Sequence, residues 1–360
     1  MATSPLVTLQ ALRLRSANDF SQLVGVGGVG TGLFFRLDGD HPLGRNESRP
    51  ARMLESRDYC KLHIICHYIA ALMGSGFRVL PIARVGADDA GRRIVEDLRR
   101  AGVDTSLVRE VEGRSTLFSV CFLYPDGAGG NITSSNSAAA TLEPGDVDEH
   151  MPLLARAGTS SIALAVPEAP LDTRARLMEI ATTYGALRVA SFASSEIQTA
   201  RERGMFSSID ILALNEDEAV ALAGGALDPL DPDPFLGRCA DILCSIQPNI
   251  RIVISAGRLG AFGFERGHWH HCPAPVVRDA NTAGAGDALV AGIVSALAAG
   301  VPFASALDLG VLLAAYSVTS PHTIHPDANL DTLLSFAATI GVDCSPLTAY
   351  TESVTLSIHE

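Results

Sequence analysis

The chain has 360 residues, 47% of them apolar and 19% charged, a composition that builds a folded core and excludes both extended disorder and a disulfide-stapled miniprotein. Its net charge of −13 argues against a nucleic-acid or anionic-membrane footprint. Lys61 is the only lysine, which excludes a Walker A loop, since that needs GK[ST], and leaves a Schiff-base enzyme one amine to work with.

In chain order, residues 23–29 read as a strand that runs into the glycine-rich stretch 24–32, VGVGGVGTG. Gly25, Gly27 and Gly30 have the spacing of a dinucleotide fingerprint, but a nicotinamide site needs a helix directly after the turn, and residues 33–37 lead instead into the polar sequence 38–42. The better reading is a strand end where substrate approaches the backbone at Gly30 and Gly32. Residues 64–73 read as a helix, 79–85 as a strand and 91–101 as an amphipathic helix stopped by Gly102. Strands at 161–166, 187–191, 209–214 and 252–255 alternate with helices at 171–184 and 216–223, and the last third is mostly helical. This rhythm is that of a central, mostly parallel sheet flanked by helices. Residues 34–50 and the strand-turn-strand pattern at 116–135 break it, and both are expected in a small β lid, inserted at about 33–60 and 114–135 of a single domain spanning 20–340.

Seven scattered cysteines without a CxxC pair suit a reduced, cytoplasmic chain, and the N-terminal residues show no apolar export signal. The uncharged stretch 288–306 is interrupted by Gly292, Gly300 and Pro302 and reads as two buried helices rather than a membrane span. His268, His270 and Cys272 would share one face of a strand, a conceivable zinc trio, but no fourth ligand is evident and an exposed strand edge explains them better.

The most informative segment is 281–292, NTAGAGDALVAG. Gly284, Ala285 and Gly286 can present successive N–H groups at a helix N-terminus, an anion hole for a phosphoryl group. Asp287 then stands in the first turn, placed to take a proton from an attacking hydroxyl, although an isolated GxGD is more often a simple helix cap. This segment resembles the C-terminal signature of the ribokinase-like (PfkB) carbohydrate kinases. Residues 85–91, VGADDAG, resemble the family's VGxDxxG. Residues 215–218, NEDE, resemble its NxxE, and residues 255–260, SAGRLG, its TxGxxG.

The resemblance implies an ATP-dependent phosphotransferase acting on a hydroxyl of a sugar or nucleoside-like substrate. Asp287 would be the general base, with Gly284, Ala285 and Gly286 as anion hole. Asn215 and Glu218 would organise magnesium near the phosphates, Glu218 as its metal residue, and Asn215, Ser255, Gly257 and Gly260 would line the nucleotide site. Partners would be small molecules only, with no nucleic acid and no membrane, and a homodimer through the lid is in keeping with the family.

The sugar-binding pattern GGxxxNxA is lost: the aligned stretch 62–69 reads LHIICHYI, and the early sugar-contacting aspartate falls on Gly30 or Gly32. Asp38, Asp40 and His67 are the candidate replacements, with Arg45, Asn46, Glu47 and Arg49 beside them. For His67 the alternative is a core histidine, and for the lid residues a solvated loop. The signature opens with Asn281 instead of aspartate, with Asp279 just before it, which unsettles the family's monovalent-cation site. A catalytically silent, metabolite-binding kinase fold is the alternative function.

Overall fold

A computed structural model describes residues 6–12, 20–125, 129–278 and 281–357. Its centre is a nine-stranded sheet built from β2 (Gln22–Val26), β5 (Arg78–Gly86), β6 (Val108–Val111), β9 (Ser161–Ala165), β10 (Leu187–Ser191), β11 (Ile211–Asn215), β12 (Arg251–Ser255), β13 (Ala261–Glu265) and β14 (His268–Cys272). The order is β14-β13-β12-β11-β10-β9-β2-β5-β6. All pairs from β12 to β6 are parallel, and β13 and β14 close one edge as an antiparallel hairpin.

Because successive strand residues face opposite sides, each inner strand must be apolar on both. Leu23, Val79, Ile162, Leu164 and Val253 pack into one core with helices Lys61–Met73, Ala285–Ala298 and Phe303–Ser317. Val24, Leu80, Ile82, Ala163 and Ile252 pack into a second core under helices Leu171–Tyr184, Glu216–Ala223 and Asp233–Ile246. The last of these helices begins inside the proline-rich run 226–234, ALDPLDPDP, which reads in sequence as a surface loop, so the helix is not apparent there. A ribbon of β1 (Leu6–Leu12) and β15 (Thr351–Ser357) lies outside the 20–340 boundaries, yet Leu12 is buried in the first core.

The lid is a separate four-stranded sheet in the order β4-β3-β7-β8, made of β3 (Gly30–Leu37), β4 (Ala51–Tyr59), β7 (Leu117–Leu123) and β8 (Gly129–Thr133). Its register puts Gly32 opposite both Asp58 and Ser119, so one face carries Gly32, Phe34, Asp58, Ser119 and Cys121, all buried. Asp88 ties the lid to the body: it caps helix Asp89–Arg100 by accepting from Gly91 N–H and also accepts from Thr116 N–H and Oγ1.

Candidate active site

Parallel strands leave a crevice beyond their C-terminal ends, and the chemistry-bearing residues gather there. Asn215 ends β11, Ser255 ends β12 and Glu168 follows β9. The glycine segment after β2 feeds β3, not a helix, so it has no dinucleotide-binding turn. Helix Ala285–Ala298 opens at Gly284, whose φ of +81 suits glycine, and a Cβ there would lie 2.8 Å from the Thr323 carbonyl oxygen. Ala285 N–H is taken by Thr282 O and Ala288 N–H by Gly284 O. Those of Gly286 and Asp287 have no backbone partner of this kind among the described residues, and they stand at the positive end of the helix dipole. Ser255 Oγ lies 4.0 Å from where a Gly286 side chain would start, so β12 and the anion hole meet.

Asp287 occupies the first turn of that helix and pairs with Lys61 Nζ at 3.7 Å, their side chains being 14% and 34% exposed. Burial raises the Asp287 carboxyl, while the Lys61 ammonium pulls it down. In return Asp287 holds the ammonium protonated, above the usual lysine value. Lys61 begins its helix directly after β4, and its own N–H donates to Glu168 Oε2 at 3.1 Å. Burial pushes Glu168 up to about 7 against the pull of Lys61.

Glu218 and Asn215 form a reciprocal cap: Glu218 N–H donates to Asn215 Oδ1 and Asn215 N–H to Glu218 Oε2, each at 2.8 Å. Burial raises Glu218, and Lys61 lowers it. Asp58 accepts from Ser119 Oγ and Cys121 Sγ, is raised by burial and is felt by Asp287. The single lysine thus serves a cluster of carboxylates.

The structure brings together Gly284, Ala285, Gly286, Asp287 and Ser255, with Asn215 and Glu218 linked to them through the field of Lys61. Gly257 faces open space, whereas Gly260 is required by structure: a Cβ there would meet Cys272 O at 2.0 Å. Gly30 and Gly32 lie at the inner end of β3. Asp38 and Asp40 do not join the site. They are exposed just past the far end of β3, roughly 20 Å along the strand from Gly32 at about 3.3 Å per residue. Neighbouring Glu47 is occupied by Arg49 and Gly44 N–H, which makes this a self-contained solvated loop.

His67 also turns away. It lines a separate cavity of about 690 Å³ with Tyr59, Asp97, Arg100 and His322, behind the helix that Lys61 opens. His268 and His270 sit on the edge strand β14, and no group of three His, Cys, Asp or Glu among the described residues could hold a metal ion. Asp279 and the 126–127 part of the expected lid turn lie outside the described residues. Sequence reading missed Lys61, Glu168 and Asp58. The signal for Lys61 was its uniqueness in the chain.

Residues 66–329 match the family model for pfkB family carbohydrate kinases. A probable fructokinase from Arabidopsis thaliana is 26% identical over 223 residues, covering 59% of this chain and 63% of that protein. A 2-dehydro-3-deoxygluconokinase from Thermoproteus tenax is 29% identical over 265 residues, 69% of this chain and 76% of the other. In fold, the chain is similar to Arabidopsis thaliana ribokinase complexed with ribose and ATP, with a TM-score of 0.69, 19% identity and coverage of 88% of this chain and 98% of that one. The family match begins past the first two lid strands and past Lys61, inside the stretch 62–69 where the sugar-binding pattern is lost. With the fold, the glycine turn and the family model in agreement, the chain belongs to the pfkB family of carbohydrate kinases.

Proposed function

We propose that the protein transfers the γ-phosphoryl group of ATP to a hydroxyl of a sugar or nucleoside-like molecule. The observation that carries this reading is Asp287 in the first turn of the helix opened by Gly284, paired with Lys61 at 3.7 Å. Ionised Asp287 takes the proton of the acceptor hydroxyl as it attacks. The N–H groups of Gly286 and Asp287 take up charge on the transferred phosphoryl group. Lys61 opposes the rise that burial gives Asp287 and lends positive charge where anionic groups converge.

Magnesium in such a reaction neutralises phosphate charge and is held mainly by phosphates, water and one or two carboxylates. The chain fits that mode: Glu218 is a buried carboxylate with one oxygen committed to its cap, and Asn215 stands beside it. The acceptor would be met by Asp58, Glu168 and the backbone at Gly30 and Gly32. Gly32 lacks a side chain because Asp58 occupies its space, with Asp58 Oδ2 lying 2.3 Å from where a Cβ would be. All seven cysteines are free, in keeping with a reduced compartment, and no helix among the described residues is long and apolar enough to cross a membrane. The outer face of the lid is the surface for a homodimer.

The test is mass-spectrometric detection of phosphorylated products from a mixed sugar and nucleoside library with magnesium ATP, beside an Asp287→Asn control. A product formed by the native protein and lost in the variant supports the reading. Binding of a library member with neither ATP consumption nor product would instead mark a silent metabolite-binding kinase fold.

A further inference from the structure

The signature opens on Asn281, and Asn281 is a built feature rather than a loose substitution. The residue is 6% exposed. Its Nδ2 donates to Pro321 O at 3.0 Å, its Oδ1 accepts from Ala283 N–H at 3.0 Å, and its own N–H donates to Val318 O at 3.3 Å. One side chain therefore pins the turn ahead of the anion hole to the 318–323 loop. That loop also reaches the lid: Thr323 N–H donates to Arg57 O at 3.1 Å, and Tyr59 N–H donates to Thr323 Oγ1 at 3.0 Å. Its Thr323 carbonyl packs where a Gly284 side chain would stand. The loop is thus a shared strut between the anion hole and the strand that delivers Asp58 and Lys61.

We infer that the Asn281 amide replaces a monovalent cation in this protein, so that the anion-hole turn is ordered, and nucleotide bound, without potassium. A carboxylate at position 281 would set an oxygen against the Pro321 carbonyl oxygen at hydrogen-bond distance, and two acceptors in contact need a cation or a proton between them. The amide of Asn281 supplies the missing hydrogen itself. The same geometry disfavours an added cation, because the Nδ2 hydrogens point their positive end at the oxygen the ion would need, and Oδ1 is already committed to Ala283 N–H. Residues here do not fit a cation and do fit a neutral clamp. Only the nucleotide arm of the test below rests on the phosphotransfer reading.

The experiment compares the native protein with Asn281→Asp in about 100 mM potassium chloride and in tetramethylammonium chloride of equal ionic strength, so that screening is the same. Thermal unfolding and calorimetric binding of magnesium ADP are recorded in both salts. The native protein is expected to keep its Tm and to hold ADP with a Kd within about twofold between the salts. Asn281→Asp should be destabilised in tetramethylammonium and recover in potassium, with ADP bound at least about tenfold more tightly there. A native protein whose Tm or ADP affinity rises by such a margin in potassium overturns the inference, and this arm stands even where the variant fails to fold. A folded Asn281→Asp indifferent to potassium overturns it as well. Absence of ADP binding in either salt would count against the kinase reading, while the Tm comparison would still decide the clamp.

Discussion

At the level of single residues, the site turns on how one cation is shared among buried carboxylates. Burial raises Asp287, and Lys61 is what opposes that rise. Lys61→Met should therefore move the acid limb of the kcat/KM profile to higher pH, whereas loss of a purely structural lysine would lower activity without moving the profile. Asp287→Asn should reduce turnover by roughly 10²- to 10⁴-fold while leaving ADP affinity nearly unchanged. Near-native turnover would remove Asp287 from its role. Glu168 permits a check that needs no substrate. Its folded-state value of about 7 lies above the usual glutamate value of about 4.5, so the folded protein binds more protons than the unfolded chain between those values and loses stability as pH rises through them. Glu168→Gln removes that loss, so its Tm relative to the native protein should climb from pH 5 towards neutrality; a flat difference would refute the assignment. Asp287 and the glycine turn were legible in sequence because helix-start chemistry is local. Glu168 was not, since it sits at φ 72 after β9 and acquires meaning only when Lys61 arrives from the neighbouring unit. Asp58 needed the lid register, which brings it across from Gly32.

At the level of elements, the pairing of helices Ala285–Ala298 and Phe303–Ser317 fixes where Asp287 is presented. They cross at Gly292 and Gly310: a Cβ on Gly310 would lie 2.7 Å from Leu289 O and from Ile293 Cγ1. Because one of those atoms is backbone, the strain has no side-chain outlet, and Gly310→Ala should cost about 1–3 kcal/mol in urea denaturation. An unchanged midpoint would show that the helices can part at no cost. The alternation of strands and helices was readable because each local period survives in the fold, as in helix Leu171–Tyr184 and strand β10, both anticipated residue for residue. The helix Asp233–Ile246 was obscured by the proline-rich run before it, since Pro232 and Pro234 serve its first turn instead of breaking it. Strand β4 was hidden because its residues are mostly polar and exposed, and only pairing with β3 makes it a strand. Asp40 and His67 are placed away from the site, Asp40 past the far end of β3 and His67 on the cavity behind its helix, which neither the polar character of 38–49 nor the alignment of 62–69 reveals. Asp40→Ala and His67→Ala should leave acceptor kinetics near native; a large KM change in either would restore the lid-tip reading.

At the level of the whole molecule, the lid has two faces with opposite fates. One is buried and brings Asp58 towards Asp287. Register places Leu33, Phe35, Met53, Phe118, Val120 and Ile132 together on the other, where Met53 is 58% and Ile132 66% exposed. A contiguous apolar sheet face in water is the kind of surface that associates, and a second copy would be the partner, since it presents the same flat, self-complementary patch in an isologous pair. The lid would then be stiffened from outside while its inner face holds substrate, which couples assembly to acceptor binding. Sedimentation at micromolar concentration should give about twice the 37.7 kDa chain mass, and Met53→Glu with Ile132→Glu should give the single-chain mass, because each carboxylate would have to be desolvated without a partner. The variant should keep ADP binding, as the residues proposed for the nucleotide lie on the body, and should lose acceptor affinity as the lid loosens. A native protein that sediments as a single chain, or a variant that remains paired, would rule out the lid face as the contact.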